Sequence, residues 1–233
     1  MSLEDALGVN NVFVHDRWTG ATTLVSVAID GSESSGHSEE VSISADGRYV
    51  AFRSWASNLV NGDTNNLPDI FVRDLQTNQT TRVSVASDGT QANNFSFNPS
   101  ISADGRYVAF TSWANNLVSG DTNGGRDIFV HDRQTGATTR VSVATGGGQA
   151  AADSQRPSIS ADGRYVAFES DASNLVSGDT NNHRTSSFTT GRLASLCKSL
   201  SPQMERKRMP FHPIPLSLLT DAMWRSGRRL TTW

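Results

Sequence analysis

An eleven-residue stretch, Ser-Ile-Ser-Ala-Asp-Gly-Arg-Tyr-Val-Ala-Phe, occupies residues 42–52 and returns unchanged at 100–110 and 158–168, a spacing of 58. A unit of this size cannot bury its own apolar face, so identical copies at a fixed period imply stacked repeats that share their cores. The architecture must therefore be an array.

Two further stretches keep the same period. Asn-Val-Phe-Val-His-Asp at 11–16 lines up with Asp-Ile-Phe-Val-Arg-Asp at 69–74 and Asp-Ile-Phe-Val-His-Asp at 127–132, and each is followed by Thr-Thr-Leu/Arg-Val-Ser-Val, beginning at Thr22, Thr80 and Thr138. The β-branched content favours strands. Each full unit thus holds four candidate strands, labelled A to D: Pro99 to Ser102, Tyr107 to Ser112, Asp127 to Asp132 and Thr138 to Val143. No segment before residue 185 carries sustained helical periodicity, so the body is expected to be all-β. Residues 1–184 contain strands C and D of one unit, two complete units, and strands A and B of another.

The connections differ in length, and their order assigns them to ends of the sheet. Strands A and B are joined by Ala-Asp-Gly-Arg, in which Gly105 tolerates positive φ and Asp104 can bond nearby backbone. The C to D turn, Gln134 to Ala137, is equally short. The B to C link (113–126) and the D to A link (86–98) are long. In an up-and-down meander alternate connections emerge at opposite ends, so both long links share one end. A binding surface is expected there.

Composition narrows the function classes. Residues 1–184 contain no lysine or cysteine and set 12 arginines against 21 acidic residues, a balance of −9, whereas residues 185–233 hold both lysines, Cys197, and 8 basic against 2 acidic residues. An acidic body argues against a nucleic-acid partner, which requires clustered positive charge. No run approaches the roughly 18 apolar residues of a membrane span. Residues 1–10 lack the basic start and apolar run of a secretory signal. A single cysteine gives no disulfide framework.

Ile-Ser-Ala-Asp-Gly-Arg-Tyr-Val-Ala-Phe followed by Asp-Ile-Phe-Val-His-Asp-Arg-Gln-Thr-Gly and Thr-Thr-Arg-Val-Ser-Val resembles the WD40-like (PD40) repeat of TolB-type β-propellers, over residues 11–184. The resemblance implies a ring of four-stranded antiparallel blades, often in extracytoplasmic bacterial proteins, serving as an interaction platform or standing beside a separate catalytic domain. Two departures matter. The 58-residue period exceeds the roughly 40–45 of common WD40 blades. Two full blades and two half blades also fall short of the about 4–8 of a closed ring. Such an arc is expected to expose blade edges that favour self-association.

From residue 185 the repeat register calls for Asp-Ile-Phe-Val-His-Asp-Arg, but the chain reads Thr-Ser-Ser-Phe-Thr-Thr-Gly. Joining the third base of each codon to the first two of the next restores the repeat. In that phase Met204-Glu205 must encode Asn or Asp followed by Gly, matching Asp88-Gly89 two periods earlier, and Met223-Trp224 forces a valine three periods after Val50. Residues 185–233 accordingly read as a frameshifted blade, expected to be irregular or disordered, in which case Cys197 and Arg206-Lys207-Arg208 carry no functional expectation; the alternative is a genuine carboxy-terminal extension with a helix over Leu216 to Trp224.

Chemical motifs in the body are few. In the B to C link, Asp63, Asn65 and Asp69 recur as Asp121, Asn123 and Asp127; alternating carboxylate and amide oxygens in a turn could hold calcium, or could build Asx turns ahead of strand C. The spacing lacks the later bidentate Glu of an EF-hand. His15 and His131 share a repeat position that holds Arg73 in the second copy, the mark of a polar strand-end site. Trp55 and Trp113, also equivalent, are candidates to stack on a sugar or peptide or to fill the seam between blades. No Gly-x-Ser-x-Gly elbow, His-Glu-x-x-His pair or phosphate-cradling glycine loop occurs. Two function classes follow: a non-catalytic module that binds a protein, peptide or glycan without a cofactor, or the propeller portion of a larger peptidase or glycan-active hydrolase.

Overall fold

A computed structural model of the chain describes residues 8–179 and the backbone of a strand at 185–190. Among the described residues thirteen strands alternate with turns in chain order. β1 (Phe13–His15) and β2 (Thr22–Leu24) form a two-stranded sheet. β3 (Ser38–Ile43), β4 (Tyr49–Ser54), β5 (Asp69–Asp74) and β6 (Gln79–Arg82) form the second sheet, and β7 (Ser96–Ile101), β8 (Tyr107–Ser112), β9 (Asp127–Asp132) and β10 (Ala137–Arg140) the third. β11 (Ser154–Ile159), β12 (Tyr165–Ser170) and β13 (Thr185–Thr190) form the fourth. Every pairing is antiparallel between neighbours in sequence, the meander of a blade.

Strand A is longer at its start than its sequence suggests. A bulge shifts the register between Glu39 and Ser42, Phe97 and Ser100, and Gln155 and Ser158. Glu40, Asn98 and Arg156 sit at φ of 54°, 52° and 54°, a left-handed conformation that such residues adopt at a cost. Strand D is shorter than expected. It ends at Arg82 and Arg140, because Val85 and Val143 leave the ladder to bridge Gln91 and Gln149.

The fourth sheet departs from the expected pair of strands. β13 pairs with β12 from Tyr165↔Thr190 to Ser170↔Thr185, the register that β9 takes on β8 from Tyr107↔Asp132 to Ser112↔Asp127. A row of unpaired N–H and C=O groups on β12 is satisfied by any extended backbone, and the Thr-rich segment has adequate strand propensity. The expected irregular tail beyond 190 lies outside the described residues.

The core is layered between sheets. Because successive strand residues point to opposite faces, Phe52 and Phe71 pack toward β1 and β2 with Val12 and Val25, while Ala51, Ile70 and Val72 pack toward Phe110 and Phe129 of the third sheet. Ala109 and Ile128 then meet Val166 and Phe168 of the fourth. Each layer is a separate cluster, which is why no sheet could stand alone.

Backbone bonds link the sheets at the short-turn end: the Ala45 N–H donates to the Ala103 carbonyl at 3.1 Å and the Ala103 N–H to the Ala161 carbonyl at 3.0 Å. Just inside, the Ile101 and Ile159 N–H groups donate to Ser42 Oγ and Ser100 Oγ.

Candidate functional site

The long connections do share one end of the sheets, and there several positions differ from repeat to repeat. The position that ends strand B is followed by Trp55, Trp113 or Asp171, whose N–H groups bond the carbonyls of His37, Phe95 and Asp153 just ahead of strand A. At the bulge the three copies carry Glu39-Glu40, Phe97-Asn98 and Gln155-Arg156, and on strand B they carry Arg53, Thr111 and Glu169. Aromatic and charged side chains interleave across sheets. Trp55 meets Phe95 edge to face at 5.5 Å, the Arg53 guanidinium lies 5.6 Å from the Trp55 ring, and that of Arg126 lies 5.4 Å from the Trp113 ring. Trp55, Phe95 and Trp113 remain 43%, 41% and 37% exposed, so part of each ring faces solvent.

The polar partners hold this surface in place. Arg53 pairs with Glu40 at 2.9 Å, and the other Glu40 oxygen accepts the Asn98 N–H of the next sheet at 2.6 Å. Arg126 reaches across to Asp153 at 2.6 Å and Gln155 at 2.7 Å. Carboxylates and guanidiniums alternate with open ring faces.

Asp63, Asn65 and Asp69 are brought together as their spacing suggests, and so are Asp121, Asn123 and Asp127. A guanidinium sits among them. Arg82 lies 3.0 Å from Asp63 and 3.5 Å from Asp69, and Arg140 lies 3.1 Å from Asp121 and 3.7 Å from Asp127. Asn65 turns its amide nitrogen to Asp69 at 2.9 Å and uses its oxygen to accept the Leu67 N–H, forming an Asx turn; Asn123 does the same with Asp127 and Gly125. Ser84 and Ser142 donate to the inner oxygens of Asp69 and Asp127. Burial pushes all four carboxyls above their ordinary range, and the arginines oppose it. Among the described residues no group of three or more His, Cys, Asp or Glu is placed to hold a metal ion.

Sequence reasoning overlooked these arginines, although the copies carried the signal. Where Arg82 and Arg140 become Leu24, Asp69 and Asp127 become Asn11, while the Asp63 and Asp121 position keeps a carboxylate as Asp5. His131 is buried with its Nδ1 2.9 Å from Thr138 Oγ1, burial lowering its pKa, while the exposed His15 makes the same contact with Thr22. Arg73 donates to Thr80 from the same position.

No protein-family model and no curated protein sequence matches the chain. Among solved structures, a putative TolB from Agrobacterium tumefaciens superposes with a TM-score of 0.51 at 15% identity, over 83% of this chain and 57% of that one. TolB from Acinetobacter baumannii is 22% identical, with a TM-score of 0.46, over 80% of this chain and 36% of that one. In fold, the described residues form β-propeller blades. The propeller segment spans less than two thirds of either TolB chain. Among the described residues no helix is long and apolar enough to cross a membrane.

Proposed function

We propose that this propeller segment is a non-catalytic binding module, whose ligand is a protein, peptide or glycan held at the long-connection end beside the bulged A strands. The observation that carries the reading is where aromatic and charged divergence gathers. The A to B hairpin and most core positions repeat almost without change, while the bulge, the strand B end and the residues ahead of strand A, which lie together at the long-connection end, differ in charge and aromaticity from blade to blade. A repeated scaffold whose neighbouring bulges carry different side chains suits a single asymmetric ligand laid across several blades. Half-exposed Trp and Phe rings with Arg and carboxylate neighbours offer apolar faces and hydrogen-bonding edges side by side.

The test is retention of the full chain on arrays of peptides and oligosaccharides, followed by titration of the best binder. Trp113→Ala and Phe95→Ala are expected to weaken that binder at least about tenfold, close to the 1.4 kcal/mol that separates decades of affinity. A binder indifferent to both variants would point elsewhere on the molecule. Hydrolysis of an array peptide or oligosaccharide by the chain would favour the propeller portion of a hydrolase instead.

A further inference from the structure

The short-turn end carries a second feature, independent of the reading above. At the seam between the second and third sheets Arg133, the first residue of the strand C to D turn, lays its guanidinium 4.5 Å from the Tyr49 ring and donates to the Gly105 carbonyl at 2.6 Å. Gly105 has φ +72°, and a Cβ there would stand 2.1 Å from the Tyr49 ring, so only glycine lets the carbonyl approach. Around it, Arg48 holds Asp74 through two bonds of 2.9 and 2.7 Å and lies 4.8 Å from the same ring.

The next seam repeats every receiving part. Gly163 has φ +71° and its Cβ would stand 2.1 Å from the Tyr107 ring; Arg106 holds Asp132 at 2.9 and 2.7 Å and lies 4.7 Å from that ring. In sequence the position equivalent to Arg133 is Gly191, which lies outside the described residues. At this seam is a cavity of about 560 Å³, lined among the described residues by Tyr107, Asp132, Asp162, Gly163 and the aliphatic Val130 and Val166. Arg106 and Arg164 also border it, but in the other seam Arg106 lines the same space as Arg133, and Arg48 lies against the same Tyr49 ring.

We propose that this cavity is a receptor for a guanidinium, supplied by an arginine side chain on a turn of a polypeptide partner. A ring face attracts a planar cation, and the Gly163 carbonyl, like that of Gly105, accepts its N–H in a partly desolvated seam. An ammonium fits less well, since it cannot stack flat while donating sideways.

The probe is a capped peptide Asp-Arg-Gln-Thr-Gly, copying residues 132–136, titrated into the isotope-labelled full chain and followed at the Gly163 and Val166 amides by NMR. Saturable shifts with Kd on the order of 1 mM are expected, a value typical of one stacked and hydrogen-bonded cation. The same peptide with leucine replacing arginine, the residue found at Leu75, is expected to bind at least about tenfold more weakly. Tyr107→Leu should remove the response and Tyr107→Phe should retain it. Equal response to both peptides, no response up to about 10 mM, or a folded Tyr107→Leu that binds normally would overturn the proposal. Should Tyr107→Leu fail to fold, the contrast between the two peptides on the unaltered chain decides.

Discussion

The third sheet and the two-stranded sheet at β1 and β2 are built from nearly the same residues, yet they hold them differently. Phe129 is fully buried and stacked 5.9 Å from Phe110, whereas Phe13, at the same repeat position, is 59% exposed. Between the third and second sheets the same holds: Ile101 is 7% exposed and its counterpart Ile43 on β3 is 49% exposed. The carboxylate Asp127 sits against Arg140 in the third sheet, whereas in the first the equivalent positions hold the uncharged Asn11 and Leu24. Equal sequence therefore does not give equal burial. A blade's apolar residues are buried only where a neighbouring sheet covers them, and stability in this molecule belongs to interfaces rather than to sheets.

The largest test of that statement compares the two phenylalanines. Phe129→Ala is expected to cost about 3–5 kcal/mol by leaving a cavity, and Phe13→Ala to stay within about 0.5 kcal/mol, measured by denaturant unfolding. Similar losses at both positions would mean that the first sheet is packed as fully as the third. The serine beneath strand C offers a finer comparison. Ser142→Ala strips a donor from buried Asp127 and should cost about 1.5–3 kcal/mol, while Ser26→Ala strips one from neutral Asn11, 2.7 Å away, and should cost about 0.5–1.5 kcal/mol.

The pH dependence separates the sheets again. Bonds from Arg48 and Arg106 hold the Asp74 and Asp132 carboxyls well below the usual range. Since the folded pKa lies below the unfolded value, their stabilisation is present above about pH 4 and is lost as the pH falls toward the depressed folded values. Asp132→Asn should lower Tm at pH 7, with the difference from the unaltered chain closing as the pH falls below about 3. Asp16, at the same position in the first sheet, is lowered chiefly by the Trp18 N–H. Asp16→Asn should accordingly shift Tm less. The smallest expected effect is that of calcium. With Arg82 and Arg140 already among the carboxylates, added calcium is expected to leave Tm unchanged, and a rise abolished by Asp121→Asn would restore the loops as cation sites.

Much of this was legible in the residues alone. An exact repeat fixes strand order, turn lengths and the end on which the long links emerge, because each follows from local chemistry repeated three times. The bulge at Glu40, Asn98 and Arg156 was not legible, since no glycine marks the left-handed position and the residue type changes each time. Arg82 and Arg140 were overlooked because in Thr-Thr-Arg-Val-Ser-Val an arginine looks like an outward-facing strand residue. Only its paired loss with the aspartate in the first copy announces the contact. The pairing of β13 was hidden for a different reason: ladder bonds are made by backbone, so a segment can hold a strand's place without its side-chain pattern.

The chain of bonds from Ala45 to Ala103 to Ala161 has a consequence for how such molecules change over generations. Each link joins the alanine N–H of one unit to the equivalent alanine's carbonyl in the next, so the second junction is a copy of the first. Unequal crossing-over between two of the identical eleven-residue stretches would add or delete one whole unit and leave every remaining junction intact. Length can thus vary in steps of 58 residues without any interface having to be reinvented, while a change of any other size meets the full resistance of the packed seams.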